Sequence, residues 1–193
     1  GLVSVIAAEP DISQQRFAEL AGNLFTGTNQ VRSVAAAPDL VVEMVYPVEG
    51  NEGAIGLDYT QNEAQREAAI RARDSGELVI AGPVNLIQGG VGFVGRFPVF
   101  YENGDGVDDF WGLVAVVIDA ERLYAASGLY DLDHLDIAIS GKDATGAAGP
   151  TFFGDPAVMD RDPVLADINL PTGSWQIAAT PDGNWDAMPD NIW

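Results

Sequence analysis

The chain has 193 residues, with 29 acidic against nine basic side chains, one Lys (Lys142), one His (His134) and no Cys, for a formal net charge of −20 at pH 7. That charge repels phosphate backbones and anionic lipid surfaces, which argues against nucleic-acid or membrane-surface binding, and the missing Cys excludes disulfides, thiol catalysis and thiolate metal sites. No apolar run approaches the roughly 20 residues that span a bilayer. Without a signal peptide or an initial Met the sequence reads as a fragment or a mature piece, long enough for one domain or two small ones.

A helix is predicted over 11–25, capped by Asp11 or Ser13, with Phe17, Leu20, Ala21 and Leu24 on one face. Strands follow at 31–36 and 40–46, joined by a turn at Pro38-Asp39 and ended by Pro47. The next helix, 61–74, has Thr60 and Glu63 at capping-box spacing. Ala64, Ala68 and Ala72 form its narrow apolar stripe, Glu67 and Arg71 a surface pair, and Gly76 its stop. Strands are predicted at 77–81, 91–101 and 110–118, the last two joined by a polar hairpin loop at 102–109. Asp119 caps a helix running to Ser127. Short strands at 135–140, 151–153 and 174–180 make up a smaller C-terminal lobe. Two strands, a connecting helix and an antiparallel meander indicate an α+β fold whose sheet and helix cup a cavity.

One ordered set of residues carries more information than the elements do. Tyr46-Pro47, Gly50-Asn51, Gly56-Leu57-Asp58, Arg66-Glu67, Ala72-Arg73, Gly76, Gly82-Pro83, Leu86 and Phe97-Pro98-Val99-Phe100 follow one another at a spacing that resembles the CHASE domain. Gly112 to Leu123 continues the match, and Phe153-Gly154-Asp155 and Trp175 extend it more weakly. CHASE domains are extracytoplasmic sensor modules of bacterial histidine kinases and diguanylate cyclases and of plant cytokinin receptors.

The resemblance implies two PAS-like lobes, antiparallel sheets with flanking helices, on an N-terminal stalk helix. Residues 1–27 would hold the end of the stalk and a lead-in helix, 28–119 the membrane-distal ligand-binding lobe, and 120–193 a smaller membrane-proximal lobe. It implies a small-molecule ligand of unknown identity and a membrane-anchored, homodimeric parent receptor in the inner membrane, with this soluble piece in the periplasm. The plant members hold adenine-type hormones through an aspartate that falls on Asp58 here, and the strand residues beside their ligand fall near Leu78 and Ile80.

The residues themselves leave alternatives open. Asp58 is either a carboxylate at a pocket mouth or a local partner of Arg66 or of a nearby backbone N–H. Arg66 either meets ligand or ties the helix to the Asp58 loop. Tyr46, Tyr59, Leu78, Ile80, Phe97 and Leu113 are core or cavity lining, since pockets are mostly apolar with a few placed polar groups. Arg96 reads as an outward-facing strand charge or a salt-bridge partner. Glu102, Asn103, Asp105, Asp108 and Asp109 lack the ligand alternation of a calcium loop, and Asp131, Asp133 and Asp136 are no better. His134 has no companion for a paired-His metal site. No nucleophile elbow, phosphate-cradling loop, metal set or cofactor motif is present, so no enzymatic activity is expected. The competing expectation is an acidic module that binds protein or cations without a small-molecule pocket.

Overall fold

The computed structural model describes residues 1–26, 29–104, 106–182 and 185. The fold is α+β with two antiparallel sheets, and the chain divides into two compact units, Gly1–Leu123 and Tyr124–Trp193.

The first unit opens with two short helices, α1 (Leu2–Ala8) and α2 (Gln14–Gly22). Ser13 caps α2 by accepting a hydrogen bond from the Arg16 N–H, and Phe17 and Ala21 are its buried face. Periodicity pointed only to the second of these helices, because LVSVIAA has no polar face to give α1 a period; the end of a stalk helix expected within 1–27 came from the family resemblance alone. Five strands follow: β1 (Val31–Pro38), β2 (Met44–Tyr46), β3 (Val79–Asn85), β4 (Val91–Glu102) and β5 (Asp108–Asp119). Their spatial order is β2-β1-β5-β4-β3, every neighbour pair antiparallel.

Both faces of this sheet are covered, which is why its central strands read as nearly continuous apolar runs. Side chains alternate between two layers. One layer joins Ile6, Phe17 and Ala21 of the first two helices to Val34, Ala36, Val99, Trp111 and Val114. The other joins Ala35, Ala37, Val79, Ala81, Val94, Leu113, Ala115 and Val117 to helix α3 (Arg66–Ser75) and the segment before it. The Trp111 indole donates to the Pro10 carbonyl at 2.8 Å and the Gln14 amide to the Val45 carbonyl at 3.0 Å, pinning the α1–α2 connection to the sheet.

α3 starts five residues later than its capping box would place it. Thr60 does not cap it: its N–H, which the Glu63 side chain of a capping box would accept, donates to Asp58 Oδ1 at 2.7 Å, and its hydroxyl donates to the same oxygen at 2.6 Å. Gln65 takes the N-cap position instead, and Gly76 ends the helix in the left-handed region at φ 69°. Ala68, Ala69 and Ala72 form the buried stripe, while Ala64 is exposed. Glu67 and Arg71 make the expected exposed pair at 3.7 Å. The predicted strand 40–46 keeps only its last three residues. Residues 40–42 leave the sheet and pair with 56–59 instead.

Helix α4 (Ala120–Ala126) starts where Asp119 Oδ1 accepts the Arg122 N–H at 3.0 Å, and the division between units falls within it. The second unit is a four-stranded antiparallel sheet of β6 (Leu135–Ser140), β7 (Thr151–Gly154), β8 (Val164–Asn169) and β9 (Ser174–Pro181), in the order β7-β6-β9-β8. β8 was not anticipated. It is an edge strand with Val164 and Leu165 largely exposed, so its apolar residues mark no buried face. The small core is Ala138, Val158 and Ala178, beside an aromatic group in which Tyr124 and Phe153 approach to 4.8 Å.

Candidate functional site

The cover over the α3 face is built by the segment between β1 and α3. Its backbone folds back on itself: the Val42 N–H donates to Leu57 O, the Gly56 N–H to Val42 O and the Tyr59 N–H to Leu40 O, at 2.8–3.0 Å. Residues 54–59 thereby lie against 40–42 and drive the Tyr59 ring into the layer below α3, where it is 3% exposed. A second tie closes the end of this cover. Arg32 donates to the Gly89 and Gln88 carbonyls at 2.6 and 3.0 Å and to Asn51 Oδ1 at 3.4 Å, and Asn51 in turn donates to the Pro47 carbonyl at 3.1 Å.

Beneath the cover lies a buried polar group in an otherwise apolar layer. Arg96 of β4 is the largest fully buried side chain, at 0% exposure. Its Nη2 donates to Gln65 Oε1 at 2.7 Å, and its guanidinium carbon sits 5.2 Å from the centroid of the Tyr59 ring. A desolvated cation over an aromatic face gains up to about 2 kcal/mol. Burial raises the Tyr59 hydroxyl pKa above its usual 10.0, and the Arg96 charge works against that rise. The expected outward-facing Arg96 is therefore corrected: both faces of β4 are buried, and parity with Val94 carries Arg96 inward.

Ser33, Tyr59, Gln65 and Gln88 line a small interior cavity of about 20 Å³ with Ala35, Val42, Ala54, Leu57, Leu86, Val94 and Val117. That volume is of the size that holds one water. Ser33 is 1% exposed, and its hydroxyl makes no hydrogen bond among the described residues. On the outer side of residues 54–59 lies an open groove of about 350 Å³, lined by Gly53, Ile55, Gly56, Leu57, Asp58, Gln61, Asn62 and Ile87. Leu57 borders both spaces, so one short segment is the wall between them.

The eight residues singled out from the sequence divide by face. Tyr59 and Leu113 lie in the α3 layer, and Tyr59 borders the cavity. Asp58 lies beside them on the outer wall. Its carboxylate takes the local alternative, accepting from Thr60 rather than pairing with Arg66, whose side chain is exposed. Phe97 and Tyr46 pack on the opposite face with the α1–α2 layer, Tyr46 edge-to-face with Phe25 at 5.3 Å. Ile80 pairs with Gly95, whereas Val79 and Ala81 pair with Arg96 and Val94. Side-chain alternation therefore puts Val79 and Ala81 in the α3 layer and Leu78 and Ile80 on the opposite face, a displacement of one residue that exchanges the two faces. Ser33, Gln65 and Gln88 carried no motif. Only the parity of β1 and β4 within fully apolar surroundings could have pointed to Ser33 and Arg96.

The carboxylate-rich segments offer nothing comparable. Asn103 donates to Asp109 at 2.8 Å, while Asp105 lies outside the described residues. Asp136 pairs with Arg161 at 2.7 Å, and His134 is exposed. Among the described residues, no three His, Cys, Asp or Glu are grouped to hold a metal ion, and no helix is long and apolar enough to cross a membrane.

The Asp58 turn makes a pH prediction. The two Thr60 hydrogen bonds, side chain first, hold the Asp58 carboxyl below its ordinary value of 3.8. A depressed carboxyl stabilises the fold above its unfolded-state pKa, and that contribution is lost as pH falls through the lower folded value. Asp58→Asn should therefore be less stable than wild type at pH 7 and lose less stability on acidification below about pH 4. Urea unfolding of both proteins at pH 7 and pH 3 checks this; parallel losses would contradict it.

The fold recurs in solved sensor structures. An extracellular ligand-binding receptor from Desulfohalobium retbaense is similar at TM-score 0.68 and 14% identity, over 92% of this chain and 35% of that one. The chain thus spans about a third of that receptor. The ligand-binding domain of the Pseudomonas aeruginosa amino acid chemoreceptor PctC, solved with GABA, is similar at TM-score 0.56 and 15% identity, over 92% of this chain and 87% of that one. The sensor domain of the Vibrio cholerae histidine kinase DctB is similar at TM-score 0.55 and 9% identity, over 93% and 84%. At these identities the likeness shows a shared fold alone. Curated protein sequences give no match. The CHASE domain matches residues 30–153, spanning the whole first sheet, its cover and the start of the second unit. The chain belongs to the CHASE family of sensor domains.

Proposed function

We propose that this chain is the extracytoplasmic sensor domain of a bacterial transmembrane receptor of the histidine kinase or diguanylate cyclase type, with a small-molecule ligand bound on the α3 face of the first unit. The observation that carries this reading is a cavity bordered by buried Ser33, Tyr59 and Gln65, with Arg96 buried against Gln65 and Tyr59, inside the family-matched span. A polar group removed from water costs free energy unless it is partnered, and a ligand would supply a partner for the buried Ser33 hydroxyl, which makes no hydrogen bond among the described residues.

An interior cavity of about 20 Å³ is far below the roughly 300–1,000 Å³ of small-molecule sites. In this reading the α3-face site is closed in the structure. The wall of residues 54–62 swings outward on binding, joins the cavity to the outer groove and brings Asp58 to the mouth of the combined site. A ligand shifts that equilibrium only by its differential affinity for the two forms. The distal placement of this unit, a stalk helix ending within residues 1–27, a dimeric parent and the absence of catalysis belong to the same proposal. The relatives solved as ligand-binding and sensor domains, one with GABA, favour a small organic ligand.

A thermal-shift screen against amino acids, organic acids, adenine derivatives and calcium tests it. A ligand at 100 times its Kd stabilises by about 2.7 kcal/mol. A hit weakened by Tyr59→Phe or Asp58→Ala is the expected result. Stabilisation by calcium alone, reversed by chelation, would favour the acidic interaction module instead, and turnover in an esterase, phosphatase or glycosidase panel would overturn the non-catalytic reading.

A further inference from the structure

The lining of the interior cavity has a chemical character of its own. No acidic side chain borders it, in a chain where acids outnumber bases 29 to nine. Its polar members are two hydroxyls, Ser33 and Tyr59, and two amides, Gln65 and Gln88. The Gln65 carbonyl oxygen already accepts from Arg96, so what this side chain has left to offer is its N–H donors. The Ser33 hydroxyl is buried, borders the cavity and has no partner among the described residues.

Arg96 lies directly behind two of these groups, bonded to Gln65 and stacked on Tyr59. Its charge opposes the upward shift that burial imposes on the Tyr59 hydroxyl, so its positive field reaches a side chain that borders the cavity. An ammonium group reaching the inner cavity would meet a like charge and no lining carboxylate, Asp58 standing on the outer groove. A carboxylate would meet hydroxyl and amide donors backed by a guanidinium, and low local polarity strengthens such contacts.

We infer that the ligand carries a carboxylate, received on the α3 face by the Ser33 and Tyr59 hydroxyls, with the Arg96 guanidinium behind the Tyr59 ring. This inference rests on the sensor reading and adds the ligand class to it. The neutral polar lining supplies direction, and the buried Arg supplies charge selectivity.

The test uses matched pairs: propionate, succinate, L-alanine and 4-aminobutyrate, each beside its primary amide, titrated calorimetrically into the chain and into Ser33→Ala and Arg96→Met. At least one acid should bind with its amide about tenfold or more weaker. Ser33→Ala should weaken the acid by about tenfold, the loss of a hydrogen bond to a charged group, while the ligand-free melting temperature stays level or rises. Arg96→Met should abolish the preference for acid over amide; Ser33→Ala keeps the test decisive if that variant does not fold. A neutral or amine-bearing compound that binds in place of every acid, and is weakened by Ser33→Ala, would overturn the carboxylate while leaving the sensor reading intact. Failure of every acid, amide and wider-panel compound to bind would overturn both.

Discussion

Arg96→Ala is expected to lower the stability of the first unit by about 3–5 kcal/mol, the range for truncating a large core side chain. Three losses act together. The void opens between β4 and α3, where Arg96 is fully enclosed. Gln65 Oε1 loses its donor while remaining buried, at a cost of about 1–3 kcal/mol. The Tyr59 ring loses its cation. Opposing these is relief of the penalty for keeping a guanidinium out of water, which amounts to several kcal/mol for a buried ion, so the total falls short of the sum. Arg96→Met separates the contributions. It keeps most of the volume and removes charge, desolvation cost and hydrogen bond together, and should stay within about 1.5 kcal/mol of wild type. Urea unfolding followed by hydrogen exchange in β4 and α3 reads the first unit apart from the second. Equal stabilities for the Ala variant and wild type would contradict the packing described for this residue.

Gly112→Ala is expected to be about as damaging, near 3 kcal/mol or more, through backbone geometry alone. Gly112 has φ 153°, and a Cβ there would overlap the Ala37 carbonyl oxygen and approach the Pro38 Cα to 2.7 Å. The obstruction is main chain, which cannot rotate aside. It sits where β1 meets β5, with Pro38 opposite Gly112, and where the chain leaves the sheet through Asp39 and Leu40, both at positive φ. The variant must separate the two strands that hold Ser33 and Val117. Gly50→Ala is the matched control: φ is 77° but nothing lies within 4 Å of the added Cβ, so only the conformational cost of about 1 kcal/mol remains. Melting temperatures should therefore fall by about 10 °C for Gly112→Ala and only a few degrees for Gly50→Ala. Equal falls would show that close approach of β1 and β5 is not what position 112 protects.

The sequence revealed segments better than it revealed faces. Val-rich runs, Gly76 and Asp119 located β1, β4, β5, the C-terminal end of α3 and the start of α4, because strand composition and caps are local properties. Which side chains share a layer depends on register, and register is set by partners remote in sequence. β3 shifts register between Ala81 and Val84, beside Pro83, and the assignment of Leu78 and Ile80 to the cavity failed to anticipate the face that pairing imposes. Thr60 and Glu63 had capping-box spacing, yet Asp58, two residues before Thr60, accepts the Thr60 N–H that the Glu63 side chain would have taken. Arg96 was misread because a charge in a strand ordinarily faces solvent, and only the three-layered packing shows that this strand has no solvent face. The motif set that resembled a sensor family was legible throughout, since it depends on order and spacing rather than on three-dimensional pairing.

Amide chemical shifts of the 15N-labelled chain, recorded with and without each member of the metabolite panel, test binding on the α3 face most directly. A true ligand should move Ser33, Tyr59, Gln65 and Val94 and the wall at 54–62, while Phe17, Val34 and Val99 on the opposite layer and Ile139 and Ala178 in the second unit stay in place. Shifts confined to β6–β9, or to the α1–α2 layer, would contradict a ligand site beneath α3.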